Sequence, residues 1–212
     1  MGIAGYKIHR NGVLVTTTTG TGTTFNATGL ASNLPYWYWV QAVDTAGNAS
    51  GDSIGAGAVT FATGTSYRVQ YVNPNIPAGT QLCVVADANA SAAAIKTQSC
   101  TGASTALRQW TFTGITGNDV YVRFQSGNAL GWTVPDNNDA TRLRLTQNAG
   151  DTSGFSQWRI GAAWTGTAAF VEIRRTTLPD KCLDIWDTVA GTELQQYACH
   201  QGVQQRFALM AP

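Results

Sequence analysis

Along this chain apolar and polar positions alternate over short runs, and no helical period sets in. The segment from Gly5 to Arg10 alternates and runs into Asn11-Gly12, a two-residue hairpin signal. Tyr36-Trp37-Tyr38-Trp39-Val40-Gln41-Ala42-Val43-Asp44 alternates too and stops at Thr45-Ala46-Gly47-Asn48. Three further β-like runs, Tyr67 to Val72, Val120 to Phe124 and Ala169 to Arg174, are each followed by a Gly- and Asx-rich turn region and a second apolar run. The pattern predicts an all-β protein of short strands.

These runs also repeat. Leu107-Arg108-Gln109-Trp110-Thr111-Phe112 recurs as Phe155-Ser156-Gln157-Trp158-Arg159-Ile160 and again as Gln204-Gln205-Arg206-Phe207-Ala208-Leu209. Trp110, Trp158 and Phe207 are spaced 48 and then 49 residues apart. Three copies of that length predict a threefold-symmetric β fold. A lone copy could not bury its apolar face, so the three must share one core.

Composition narrows the function classes. Charged residues are 12% of the 212 and the formal net charge is +1, against roughly 25% charged in an average soluble domain. A partner held by phosphate charge calls for concentrated Lys and Arg, so nucleic acid is not expected. Apolar runs such as Gly161 to Val171 fall short of the roughly 20 residues that span a bilayer, and no membrane partner is expected. Aromatics at 10% exclude a disordered chain, and the wealth of Gly, Thr, Ser and Asn argues against a helical bundle. The surface is made polar by hydroxyls and amides rather than by charge.

The cysteines add a compartment. Cys83 and Cys100 are 17 apart, as are Cys182 and Cys199. Neither pair has the spacing of a zinc or redox site. Equal intervals read as two local disulfides, hence an oxidising, extracellular setting; the other reading is four reduced, buried thiols. Met1 is followed by neither a basic nor an apolar leader region, so the start reads as either a mature cut or a boundary within a longer chain, with the boundary favoured. Asn26, Asn48 and Asn89 open N-x-S/T strings that matter only in a eukaryotic host.

From Tyr67 to Pro212 the chain resembles a ricin-type lectin domain (carbohydrate-binding module family 13), which implies a β-trefoil. The most specific segment is Cys182-Leu183-Asp184-Ile185-Trp186, followed by Leu194-Gln195-Gln196-Tyr197-Ala198-Cys199-His200 and Gln204-Gln205-Arg206-Phe207. The Q-x-W signature is degenerate: Arg108, Ser156 and Gln205 occupy its first position and Phe207 replaces the third Trp. Residues 1–62 resemble the latter part of a fibronectin type III module, with Tyr36 as its tyrosine corner and Tyr38, Val40 and Ala42 facing inward. Its two opening strands are absent, so one sheet is expected nearly whole and the opposing sheet reduced to a single strand. Residues 63–66 would be a linker, and the trefoil repeats would cover approximately 67–115, 116–163 and 164–212. Trp37 and Trp39 fall on the face expected to meet solvent, which suggests a contact surface: for the trefoil, a second copy or a glycan.

Chemistry separates the three repeats. A pyranose presents C–H bonds on its face and vicinal hydroxyls at its rim, so a site for it needs an aromatic platform, a carboxylate and amides. The third repeat offers Asp184 as acceptor, Tyr197 as platform, and His200 with the amides of Gln204 and Gln205 as further partners. The resemblance implies that these positions line the pocket, with Gln204 departing from the family's Asn. In the first repeat Cys83-Val84-Val85 puts valine where the carboxylate belongs, with Gln98 at the platform and Thr101 at the histidine position. The second has Ala129-Leu130-Gly131 and Thr146 there, and Trp132 is expected in the core. Each candidate also has a plainer reading: Asp184 as a turn residue, Tyr197 as a half-buried strand aromatic, His200 as a loop residue.

Neither a nucleophile–base pair nor two carboxylates held across a bond is apparent. Asp136-Asn137-Asn138-Asp139 reads as a turn rather than a calcium loop. The expectation is a non-catalytic binding module of a secreted polysaccharide-degrading enzyme. It has no catalytic residue, metal or cofactor, and its partner is a neutral polysaccharide or oligosaccharide. The competing expectation is an extracellular structural or adhesive protein that self-associates through the N-terminal module, its open sheet and Trp37/Trp39.

Overall fold

The computed structural model describes residues 2–77, 79–101, 105–124, 129–147 and 154–212. Its strands fall into two sheets, one of four strands and one of twelve, and no α-helix occurs among the described residues.

The small sheet comprises β1 (Ile3–Arg10), β2 (Val13–Thr17), β3 (Pro35–Asp44) and β4 (Ala56–Val59), in the order β2-β1-β3-β4. Asn11 and Gly12 close the first hairpin at φ 48° and 86°, the two positive values that match a tight turn to strand twist. The Tyr36 hydroxyl accepts from the Ala31 N–H at 2.9 Å, a tyrosine corner that ties the incoming loop to β3. Asp44 accepts from the N–H groups of Ala46 and Asn48, each at 2.9 Å, and closes the turn after β3.

One expectation fails on this sheet. Among the described residues no opposing strand forms, and residues 22–28 carry no strand pairing. A single strand without a neighbour has nowhere to place its backbone N–H and C=O groups except in water, so the segment stays irregular. With Tyr6, Ile8, Tyr38 and Val40 it borders an apolar hollow of about 440 Å³.

The large sheet shows the threefold repeat as four strands per copy. The first copy holds β5 (Ser66–Tyr71), β6 (Leu82–Ala86), β7 (Ile95–Ser99) and β8 (Trp110–Thr116). The second holds β9 (Asp119–Phe124), β10 (Leu130–Thr133), β11 (Arg144–Gln147) and β12 (Gln157–Trp164). The third holds β13 (Ala169–Arg175), β14 (Lys181–Asp184), β15 (Gln195–Ala198) and β16 (Phe207–Met210). First and last strands of the copies pair in a closed ring, β5-β8-β9-β12-β13-β16 and back to β5, so the barrel has no free edge. Hairpins β6–β7, β10–β11 and β14–β15 cap it, joined by bridges Ala94–Arg144, Lys96–Glu193 and Arg142–Gln195. This is a β-trefoil.

Both tryptophans of the recurring motif lie in the core, with Trp132 between them. Trp110, Trp132 and Trp158 are fully buried, with ring centroids 5.0 Å and 6.1 Å apart along the series. The indole N–H of Trp110 donates to the Val84 carbonyl at 2.8 Å, and that of Trp158 to the Trp132 carbonyl at 3.3 Å. At the third position Phe207 packs against Tyr71 at 6.4 Å. Both expected disulfides form, Cys83–Cys100 and Cys182–Cys199.

The small sheet lies on the barrel through β3 and β4, which contact β12. Val59 belongs to the same buried cluster as the barrel residues, and Phe61 meets Phe112 edge-on at 5.7 Å. Trp37 and Trp39 are therefore partly covered, inside the chain, by the trefoil rather than left as a solvent face; Trp39 lies 5.6 Å from Trp164 of β12. Glycine permits this approach: a Cβ on Gly57 would sit 2.5 Å from Trp37 Cε3 and 2.9 Å from the Ala162 carbonyl oxygen. Gly57→Val is expected to force the sheets apart and cost about 1–3 kcal/mol. Urea unfolding together with faster proteolysis at residues 60–65 would register the change.

Candidate functional site

The candidate residues expected from sequence lie in the third cap. Hairpin β14–β15 pairs Cys182 with Tyr197, Leu183 with Gln196 and Asp184 with Gln195. Side chains alternate across a strand, so Gln195 and Tyr197 share the face that Asp184 presents, while Gln196 points the other way. There Gln196 accepts from the buried Arg175 guanidinium at 2.7 Å and donates to the Asp136 and Asn138 carbonyls at 3.0 and 2.7 Å. Burial pulls the Arg175 guanidinium below its ordinary pKa. The Cys182–Cys199 disulfide closes the base of the hairpin and brings His200 back beside Asp184.

Asp184 is only 3% exposed, yet among the described residues no Lys or Arg forms an ion pair with it. Neutral donors hold the carboxylate instead. Gln195 Nε2 donates to Oδ1 at 2.8 Å, and Gln205 Nε2 to Oδ2 at 3.2 Å. His200 Nδ1 accepts from the Gly202 N–H at 3.0 Å, so the neutral ring carries its proton on Nε2 and donates it to Asp184 Oδ2 at 3.3 Å. A carboxylate offers roughly four lone-pair sites, so three donors leave acceptor capacity for an incoming hydroxyl.

The expected residues divide by position. Asp184, His200 and Gln205 form one bonded cluster, and Tyr197 stands beside it, 40% exposed and edge-on to His200 at 6.2 Å. Gln205 is fully buried, and both ends of its amide are used internally: Oε1 accepts from the His200 N–H at 2.8 Å and Nε2 also donates to the Ala198 carbonyl at 2.9 Å. Its amide braces the His200 backbone and the Asp184 carboxylate. Gln204 is half-buried, and its amide makes no hydrogen bond among the described residues.

Three residues were missed from sequence. Gln195 was legible as the position two before Tyr197, on the same strand face. Trp186, two residues after Asp184, is 58% exposed, a second open aromatic of this cap. Arg142, from the second repeat, lies 5.7 Å over the Trp186 ring and donates to Gln195 Oε1 at 2.8 Å. Its place carries no local signal, because it is brought there by the bridge between caps. The resulting line Arg142–Gln195–Asp184 polarises the amide so that its N–H end faces the carboxylate.

In the other caps Val85 is fully buried at the Asp184 position and Gln98 pairs opposite Cys83. Thr146 pairs opposite Gly131, and its hydroxyl bonds that of Thr133. Thr101 bonds the Ser99 hydroxyl at 3.0 Å. Asp136 accepts from the Asn138 N–H at 2.8 Å and from the Thr141 hydroxyl, and these bonds, the hydroxyl's first, hold its carboxyl below the ordinary range. Asp139 pairs with Lys181 at 2.9 Å.

No protein-family model matches the chain. Among curated proteins it is 32% identical over 162 residues to Exoglucanase B of Cellulomonas fimi, covering 73% of this chain and 14% of that protein. It is 43% identical over 81 residues to Chitinase Chi52 of Paenibacillus xylanexedens, covering 38% of this chain and 14% of that one. The chain thus matches a small part of each relative's length. Among solved structures, the designed threefold-symmetric protein ThreeFoil aligns with TM-score 0.56 at 16% identity, over 69% of this chain and 99% of that one. The Rhizoctonia solani agglutinin aligns with TM-score 0.53 at 15% identity, over 77% of this chain and 100% of that one. At these identities the structural likeness shows the β-trefoil fold.

Two outcomes follow from the geometry. Gln195→Ala removes the donor on Asp184 Oδ1 and is expected to cost about 1–3 kcal/mol of stability by leaving that buried oxygen short of a partner; thermal unfolding measures it. Tyr71 ionises above its ordinary value of 10.0, chiefly through burial, with the Asn73 hydrogen bond opposing and the Asp184 charge adding to the rise. Because the folded state disfavours the phenolate, the associated stability is present below pH 10 and is lost as pH rises through the folded value. Asp184→Asn should move the Tyr71 absorbance titration downward.

Proposed function

We propose that this chain is a non-catalytic carbohydrate-binding module that holds a secreted polysaccharide-degrading enzyme on its polymer, through the third trefoil cap. The observation that carries the reading is the Asp184 carboxylate: nearly buried, without a Lys or Arg ion pair among the described residues, and held by two glutamine amides and the His200 ring. The exposed Tyr197 ring lies beside His200, and the exposed Trp186 ring beside Arg142, which bonds Gln195. Charge-assisted hydrogen bonds are roughly twice as strong as neutral ones, so this acceptor favours vicinal hydroxyls while the rings favour the C–H face of a pyranose. The half-buried Gln204 amide is a further partner open to the ligand. Val85 in the first cap supplies no charged acceptor. Nor does Thr133 in the second, which the strand register, in place of the expected Gly131, sets opposite Arg144 as Asp184 stands opposite Gln195.

The relatives support the enzyme context, since an exoglucanase and a chitinase each carry a segment similar to this chain over 14% of their length. Disulfides support an oxidising, extracellular location. One shallow site would bind with a Kd of about 10⁻³ to 10⁻⁵ M. Tethering makes that weak hold useful, because a bound anchor raises the effective concentration of a linked enzyme at the polymer.

Asp184→Asn keeps the shape and removes the charge, whereas Ala would strand the two glutamine donors. On a glycan array the wild-type protein is expected to bind neutral glycans, and Asp184→Asn to lose about tenfold or more in affinity. Equal binding by both, with matched unfolding midpoints, would place the site elsewhere.

A further inference from the structure

A second aromatic site lies where the two sheets meet. Trp37 and Trp39 of β3 and Trp164 at the end of β12 line one cleft of about 480 Å³, together with the exposed Asp52. That is within the size range of ligand clefts. Gly12, Gly55 and Gly166 also line it, and their lack of side chains lets backbone lie close to the rings while the cleft stays open. A Cβ on Gly55 would fall 2.1 Å from Trp37 Nε1, and one on Gly12 would fall 3.6 Å from Trp164 Cη2. His9 braces Trp39 from one side, stacked at 5.4 Å with the rings 7° from parallel, and Trp164 meets Trp39 at 48°. The rings thus form an open corner.

Packing of the two sheets does not by itself require this arrangement. The tryptophans that serve the core, Trp110, Trp132 and Trp158, are fully buried. The cleft tryptophans are partly exposed, and among the described residues their indole N–H groups have no protein acceptor and stay open to solvent. Asp52 adds the opposite function: Oδ1 accepts from Gln41 Nε2 at 2.9 Å, and among the described residues no donor bonds Oδ2. Flat apolar faces, open N–H donors and a carboxylate acceptor around one cleft match a ring with C–H faces and hydroxyls at its edge.

We infer that this cleft is a second carbohydrate subsite, for a polymer of gluco-configured pyranoses. The inference rests on the reading of the chain as a carbohydrate-binding module. In the gluco configuration the hydroxyls are equatorial, so both faces are clear for stacking on the ring corner and the edge faces Asp52. Two subsites on one chain raise the hold on a polymer by making the second contact intramolecular.

Affinity electrophoresis in gels containing hydroxyethyl cellulose, glycol chitin or soluble starch tests this. At least one polymer is expected to slow the wild-type protein. Trp37→Ala/Trp164→Ala should weaken that retardation about tenfold, and Asp184→Asn should leave a residual retardation that the tryptophan changes remove. If Asp184→Asn abolishes retardation and the tryptophan variant migrates as wild type, the cleft inference falls and the third-cap site stands. If Asp184→Asn has no effect and the tryptophan variant loses all binding, the third-cap reading falls and the cleft stands. Retardation by none of the three polymers overturns both. A measurement independent of variant folding is oxidation of the Asp184→Asn protein by N-bromosuccinimide, mapped by peptide mass spectrometry. The retarding polymer should protect Trp37 and Trp164 but not Trp186; equal oxidation of all three with and without polymer overturns the subsite.

Discussion

Each repeat of four short strands has an apolar face that it cannot cover alone, and the rest of the trefoil depends on how that constraint is met. The copies meet in a ring whose last strand, β16, returns to β5, so every barrel strand finds partners on both sides. Inside, Trp110 of the first copy packs edge to face on Trp132 of the second, which in turn meets Trp158 of the same copy edge to face. Burial of such rings is among the largest single favourable contributions available to a small β domain. Once the ring closes, the three caps are held against one another by bridges between hairpins, and a residue in one copy can serve a site in the next.

Asp184 shows what that permits. A buried carboxylate is costly unless hydrogen-bonded, and here the donors are amides and a neutral imidazole rather than a cation. Neutral donors hold the charge in place without quenching it, which leaves an acceptor suited to hydroxyls. The positive charge of Arg142 acts one step removed, through Gln195, and lies over Trp186. The first two caps keep the hairpin and have given up the charge, consistent with a scaffold in which one copy can carry binding while all three carry the core.

The small sheet solves a related problem differently. Gly57 in β4 and Gly55 just before it let Trp37 lie against this edge, and Gly57 lets β12 approach closely. One face is settled by the trefoil; the other borders a hollow that an irregular segment covers in part. The same joint that brings the sheets together leaves three tryptophan edges open beside Asp52.

Local features were legible in the residues. Alternation announced strands, Asn11-Gly12 announced its turn, and the recurrence around Trp110, Trp158 and Phe207 announced three copies with one core, because these depend on neighbours along the chain or on simple period. The equal cysteine intervals pointed to the two disulfides for the same reason. Asp184, Tyr197, His200, Gln204 and Gln205 could be singled out as a chemical set, but not their division of labour: that Gln205 is sealed in as a brace, and that Gln204 keeps its amide open, depends on which way each side chain is turned. The missing opposing strand, the covering of Trp37 and Trp39, and the reach of Arg142 into a neighbouring repeat were decided by tertiary structure alone. Each rests on contacts between segments far apart in the chain, where close approach is set by glycine, ring closure and the competition for backbone partners, and no local pattern records the outcome of that competition.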